Sequence, residues 1–122
     1  MEIRIDFDSD EALYMQLRNQ IIYGIATRRY REGDSLPSVR QLAETVGINM
    51  HTVNKAYAVL REDGLLRLGR RTGAVIAVNI DTLKAMEELR DELRLIAARG
   101  FCKGISRDTI HQMIDDIYSD FE

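Results

Sequence analysis

Residues 38–60, SVRQLAETVGINMHTVNKAYAVL, leave the chain little choice there but two short helices joined by a tight turn. Ser38 is an N-cap residue with Gln41 three positions on, which completes a capping box, and Val39, Leu42, Ala43 and Val46 fall on one helical face. Gly47 ends that helix, because glycine reaches the left-handed conformation after a last turn at least cost. Asn49 then stands ready to cap a second helix. Val53, Ala56, Tyr57 and Leu60, at i, i+3, i+4 and i+7, form its buried side, so His51, Asn54, Lys55 and Ala58 point outward. A polar, slightly basic face of this kind suits a DNA major groove, and the spacing is that of a helix-turn-helix.

The formal net charge of −3 argues against nucleic acid until its distribution is examined. Residues 13–78 hold ten Lys and Arg against five Asp and Glu, so the base excess sits with the helix-turn-helix. The first twelve residues carry one Arg against five acids, and residues 79–122 carry six bases against ten acids. No apolar run approaches the roughly 20 residues of a membrane span, and the acidic start MEIRIDFDSDE is unlike a signal peptide, so a cytoplasmic protein with no membrane partner is expected. The single Cys102 excludes an internal disulfide and a multi-cysteine metal site.

Upstream, Ile3, Ile5 and Phe7 alternate with polar residues as in an edge strand or an extended arm. A helix is expected from Ser9 or Asp10 to about Arg29, burying Leu13, Leu17, Ile21 and Ile25. Gly24 inside it costs about 1 kcal/mol relative to alanine, which points to close packing at that spot. The connector YREGDSLP holds the only proline and leads into the helix-turn-helix. Downstream, Glu62, Asp63 and Gly64 stop the second helix, and LLRLGRRTGAVIAV reads as a β-hairpin around a basic tip at residues 69–73. Such a hairpin is a wing that can lay Arg70 and Arg71 on phosphates or in the minor groove.

From Ile80 or Asp81 a long helix is expected to about Arg99, with Met86, Leu89, Leu93 and Ile96 forming a seam about two heptads long. A loop over residues 100–105 leads to Ser106, an N-cap for a last helix that carries Ile110, Met113, Ile114, Ile117, Tyr118 and Phe121 on one face. These ten residues are the expected homodimerisation surface, because two amphipathic helices still leave an apolar side uncovered.

The pieces LYMQLRNQIIYGI, GDSLPSVRQLA, VGINMHTVNKAYAVLREDGLL and RRTGAVIAV, in this order and spacing over residues 13–78, resemble the GntR family of bacterial transcription regulators. The two-helix tail is similar to that of the YtrA subfamily, whose members dimerise through it and are often encoded beside ABC-transporter genes, and it is shorter than the ligand domains of other subfamilies. The resemblance implies DNA contacts from Arg40, from Asn49, Met50, His51 and Thr52 at the start of the recognition helix, and from Asn54. Met50 stands where the family often has arginine; a thioether meets a thymine methyl but makes no bidentate contact to guanine. At the wing tip Gly73 matches the second glycine of a common pattern, with Arg71 where the first is usual.

The expected fold is mainly α with a small β-hairpin: a winged helix-turn-helix over residues 1–78, with an arm over 1–9, then a two-helix dimerisation extension over 79–122. The expected function is a homodimeric, sequence-specific repressor on an inverted-repeat operator in double-stranded DNA, read by Ser38, Arg40, Asn49, Met50, His51, Thr52, Asn54, Lys55, Arg70, Arg71, Thr72 and Gly73. A small-molecule effector would have to sit between subunits or against residues 79–81, since two helices do not enclose a pocket of about 300 Å³. The competing reading is a winged-helix module for protein or RNA. With two histidines and no phosphate loop, HExxH or Ser/His/Asp set, an enzyme is not expected, nor a cofactor. The carboxylates Asp91, Glu92, Asp115 and Asp116 with His111 belong to solvated helix faces rather than to a metal site.

Overall fold

The computed structural model describes residues 2–122. In chain order it has α1 (Leu13–Ala26), α2 (Val39–Val46), α3 (Met50–Glu62), β1 (Leu66–Gly69), β2 (Gly73–Ile76), α4 (Thr82–Cys102) and α5 (Arg107–Phe121). Two compact units result, Met1–Asn79 and Ile80–Glu122.

The first unit is a winged helix-turn-helix. Its local signals act as the sequence requires. Ser38 Oγ accepts from Gln41 N at 3.1 Å while Gln41 Oε1 accepts from Ser38 N at 3.2 Å, so both members of the capping box are made. Gly47 takes φ 79°, ending α2, and Asn49 Oδ1 accepts from His51 N at 2.7 Å to open α3. The core is Leu17 and Ile21 from α1, Leu42 from α2, Val53 and Leu60 from α3 and Ile76 from β2, all fully buried. Each such side chain contributes roughly 1.5–3 kcal/mol of burial.

The first helix is shorter at both ends than its sequence pattern suggests. At the start, Ser9 Oγ accepts from Glu11 N (3.1 Å) and Asp6 Oδ1 from Asp8 N (3.0 Å), so these short side chains close turns on their own backbone and α1 begins only at Leu13. Phe7 falls in that turn and is 61% exposed, not on the inner side of the arm. At the end, Arg28 takes φ 62°, and Arg29 N and Tyr30 N both donate to the Gly24 carbonyl. The chain thereby folds the Tyr30 ring onto Gly24, where a Cβ would overlap ring carbons Cδ2 and Cε2.

The N-terminal segment is an arm without strand pairing. Gln16 and Gln20, one turn apart on α1, hold it by their side-chain amides. Gln16 Oε1 accepts from Asp6 N at 2.9 Å, and its Nε2 donates to the Asp6 and Glu11 carbonyls at 3.0 Å each. Gln20 Oε1 accepts from Arg4 N at 2.8 Å, and its Nε2 donates to the Arg4 carbonyl. One turn of helix rises about 6 Å for four residues, close to the about 6.7 Å between alternate residues of an extended chain. The two amides therefore match alternate residues of the arm, whose Ile3 and Ile5 pack on the core.

The hairpin pairs Leu66 with Ile76 through Gly69 with Gly73. Its second strand is also paired on the other edge: Gly33 N donates to Ile76 O (2.8 Å), Ile76 N to Asp34 O (2.9 Å) and Leu36 N to Ala74 O (2.8 Å), with a bridge between Ser35 and Val75. The connector before the helix-turn-helix thus acts as a third strand, and β2 is the central one.

In the second unit, Asp81 caps α4, accepting from Lys84 N at 3.3 Å, and Ser106 Oγ caps α5, accepting from Thr109 N at 3.1 Å. Gly100 does not begin a loop: α4 continues through it to Cys102. A Cβ at Gly100 would lie 2.7 Å from Ile110 Cδ1, so the missing side chain admits α5 rather than breaking α4. The turn is made at Gly104, φ 72°.

Candidate nucleic-acid interface

Three elements of the first unit present exposed polar or cationic side chains. On α3 they are Met50, His51, Asn54 and Lys55, all exposed, with Val53, Ala56, Tyr57 and Leu60 buried behind them. Thr52 is half-buried. On α2, Arg40 is exposed. At the hairpin tip Arg70, Arg71 and Thr72 are exposed, and Gly73 turns the chain into β2 at φ 66°. Among the described residues Arg40, Arg70 and Arg71 make no ion pair or hydrogen bond, so their charge is uncompensated within the chain. Such cations are what a polyanion displaces counterions with.

Two of the residues marked from sequence have local work. Ser38 Oγ and Asn49 Oδ1 are committed to helix caps. They orient their neighbours: the Asn49 cap sets Met50 and His51 at the mouth of α3, and the Ser38 cap does the same for Arg40 on α2.

The helices are tied to each other at a buried point. Tyr57 Oη donates to the Pro37 carbonyl at 2.8 Å. Burial pushes the phenol's pKa up, well above its ordinary value. The bond joins the middle of α3 to the residue before the α2 cap, so the two surfaces that carry Arg40 and Asn54 are held as one body.

A feature not apparent from sequence joins the face from α1. Lys55 Nζ lies 4.1 Å from the centroid of the Tyr14 ring, a cation–π arrangement. Leu13, Tyr14, His51, Thr52 and Lys55 line one open groove of about 340 Å³. Arg40 and the wing arginines lie outside it. Tyr14 sits one residue off the Leu13, Leu17, Ile21 stripe, and no local signal marks it as a partner of α3.

In the second unit Met86, Leu89, Leu93 and Ile96 of α4 and Met113, Ile117 and Tyr118 of α5 are exposed, while Ile110, Ile114 and Phe121 are half-buried. Ile110 is engaged with Gly100 inside the helical hairpin, and Tyr118 packs edge-on to Phe121 with centroids 6.1 Å apart. An open groove of about 880 Å³ lies between the end of α4 and the start of α5, floored by Phe101, Ile105 and Ile110. Two helices thus outline more volume than the sequence suggests, without enclosing it. Among the described residues no three His, Cys, Asp or Glu side chains come together as a metal site, and no helix is long and apolar enough to cross a membrane.

The chain matches the family profile described as bacterial regulatory proteins, gntR family, over residues 11–76. It is 30% identical over 121 residues to the HTH-type transcriptional repressor YtrA of Bacillus subtilis (strain 168), a match covering 97% of this chain and 93% of the relative. Among solved structures it is similar to YtrA from Sulfolobus acidocaldarius, a GntR-family transcription factor, at TM-score 0.69 and 36% identity, covering 82% of this chain and 97% of that one. It is also similar to a transcriptional antiterminator from Listeria monocytogenes EGD-e at TM-score 0.87 and 26% identity, covering 99% and 92%.

Proposed function

Because the chain belongs to the gntR family of bacterial regulatory proteins, and so to the DNA-binding transcriptional regulators, we propose that it is a cytoplasmic, homodimeric repressor binding an inverted-repeat operator. The observation that carries this reading is the α3 face: Met50, His51 and Asn54 are exposed and their side chains have no hydrogen-bond partner among the described residues, and the same unit carries the uncompensated Arg40, Arg70 and Arg71. Base edges take the first group and phosphates the second. The residues assigned to DNA are those marked from sequence, with Ser38, Asn49 and Gly73 acting through backbone geometry. Residues 1–78 are the reading domain and residues 79–122 the dimerisation extension.

Dimerisation is assigned to the exposed apolar residues of α4 and α5, because a row of half-exposed leucine, isoleucine and methionine is costly in water. Likeness to the YtrA repressor supports repression, and control of an ABC-transporter operon is what the resemblance of the tail to the YtrA subfamily implies. An effector, where one acts, would bias the dimer rather than the reading face.

The test is selection from a pool of random duplexes, run beside an RNA pool of equal complexity. Enrichment of an inverted repeat in the duplex pool is the expected result. Enrichment only in the RNA pool would overturn it and favour the competing reading, an RNA-engaging winged helix.

A further inference from the structure

We propose that α3 reads a half-site by adenine and thymine, with Asn54 on an adenine and Met50 on a thymine methyl, and reads no guanine through a cation. The proposal rests on the reading of α3 as the groove-facing helix.

The major groove separates bases by chemistry. Guanine offers two acceptors that take a bidentate arginine or lysine; adenine offers an acceptor beside a donor and takes asparagine or glutamine; thymine offers a methyl group. Over its first two turns α3 carries no arginine; its one arginine, Arg61, is in the last turn. Its one lysine there, Lys55, has its ammonium 4.1 Å from the Tyr14 centroid. On this proposal the cation, held beside α1 by the Tyr14 ring, meets the phosphate backbone rather than the centre of the groove.

What remains at the mouth of the helix is complementary to an A·T pair. Asn54 is exposed and has no hydrogen-bond partner among the described residues, so its carbonyl and amino groups are both open to adenine N6 and N7. Met50 is 44% exposed although apolar, set outward as the first residue of α3 by the Asn49 cap. A polarisable thioether there covers a methyl group and has nothing to donate to guanine. His51 donates or accepts according to its tautomer and so discriminates less.

The experiment combines selection from random duplexes with base analogues. Met50→Ala and Asn54→Ala each identify, by the position whose preference relaxes, the base that the residue faces. Those positions are expected to be thymine and adenine. Replacing that thymine by deoxyuridine removes one methyl, and is expected to weaken wild-type binding about fourfold and to leave Met50→Ala binding unchanged. Replacing that adenine by 7-deazaadenine removes one of the two hydrogen bonds and is expected to cost the wild type roughly 2- to 13-fold and Asn54→Ala little. Lys55→Ala should weaken all sequences alike. Guanine at either position, indifference of the wild type to uracil, or a changed base preference in Lys55→Ala would overturn the proposal while leaving DNA binding intact. Failure of any duplex to enrich would instead overturn the DNA-reading function, and this proposal with it.

Discussion

The Tyr57 phenol donates to the Pro37 carbonyl across 2.8 Å, and that bond couples the recognition helix to the start of the helix before it. Tyr57 is 2% exposed, so its hydroxyl has no other partner to turn to. Tyr57→Phe keeps the ring and removes the bond, and should cost about 0.5–1.5 kcal/mol in denaturant unfolding.

The same residue imposes an alkaline limit. Burial raises its pKa above the ordinary 10.0, so the fold favours the neutral phenol. Stability from this source is complete below about pH 10 and declines as pH rises further, because the unfolded chain releases the proton first. The slope is at most about 1.4 kcal/mol per pH unit. Unfolding curves at pH 8, 10 and 11 should show a smaller alkaline loss in Tyr57→Phe than in the wild type.

Gln20 and Gln16 clamp alternate residues of the arm, Arg4 and Asp6, so their effects should be separable. In Gln20→Ala the Arg4 amide loses its acceptor while Asp6 keeps Gln16. Hydrogen exchange should accelerate at Arg4 and stay slow at Asp6. Gln16→Ala removes three bonds and should cost roughly 1.5–4.5 kcal/mol, toward the lower end because the freed arm groups meet water.

Gly24 and Tyr30 make a matched pair. Alanine at 24 gains about 1 kcal/mol of helix propensity but drives a methyl into the Tyr30 ring, and overpacking costs about 1–3 kcal/mol. Gly24→Ala should therefore destabilise on balance. In a Tyr30→Ser background the clash is gone and the same change should stabilise, a sign reversal that a double-mutant cycle reads directly.

How much of this was legible in the sequence depends on how local each signal is. The capping box of Ser38 and Gln41, the stop at Gly47 and the cap at Asn49 are set by residues within four positions, and both helices follow them. The pairing of residues 33–36 with β2, the clamps of Gln16 and Gln20 on the arm, and the Lys55 to Tyr14 contact join segments 10 to 43 residues apart. No periodicity marks them, because each depends on how the helices pack. Gly100 misleads for the same reason: read locally it is a helix breaker, whereas its role is set by Ile110 on the next helix.

Arg40 tests the electrostatic part of the interface. A side chain that neutralises one phosphate contributes about 0.9 to the slope of log K against log salt. Arg40→Ala should flatten that slope by about this amount and weaken all sequences similarly. An unchanged slope would remove Arg40 from the phosphate contacts.

The dimer can be tested through its operator. With two recognition helices on a two-fold axis, half-sites must recur at about 34 Å, or one turn of about 10 base pairs. Inserting about five base pairs turns one half-site to the opposite side of the duplex, and affinity should fall to that of a single half-site. Met113 and Ile117 are about half exposed on α5, and the side chains nearest Gly100 are those of Ile110 and Ile105, so Met113→Glu with Ile117→Glu should charge the dimer surface and leave the helical hairpin folded. Sedimentation of that variant at micromolar concentration should give a monomer, and its binding should no longer distinguish full from spaced sites. A variant that stays dimeric would place the interface elsewhere, and wild-type protein that binds full, spaced and single half-sites equally would show that its recognition helices act independently.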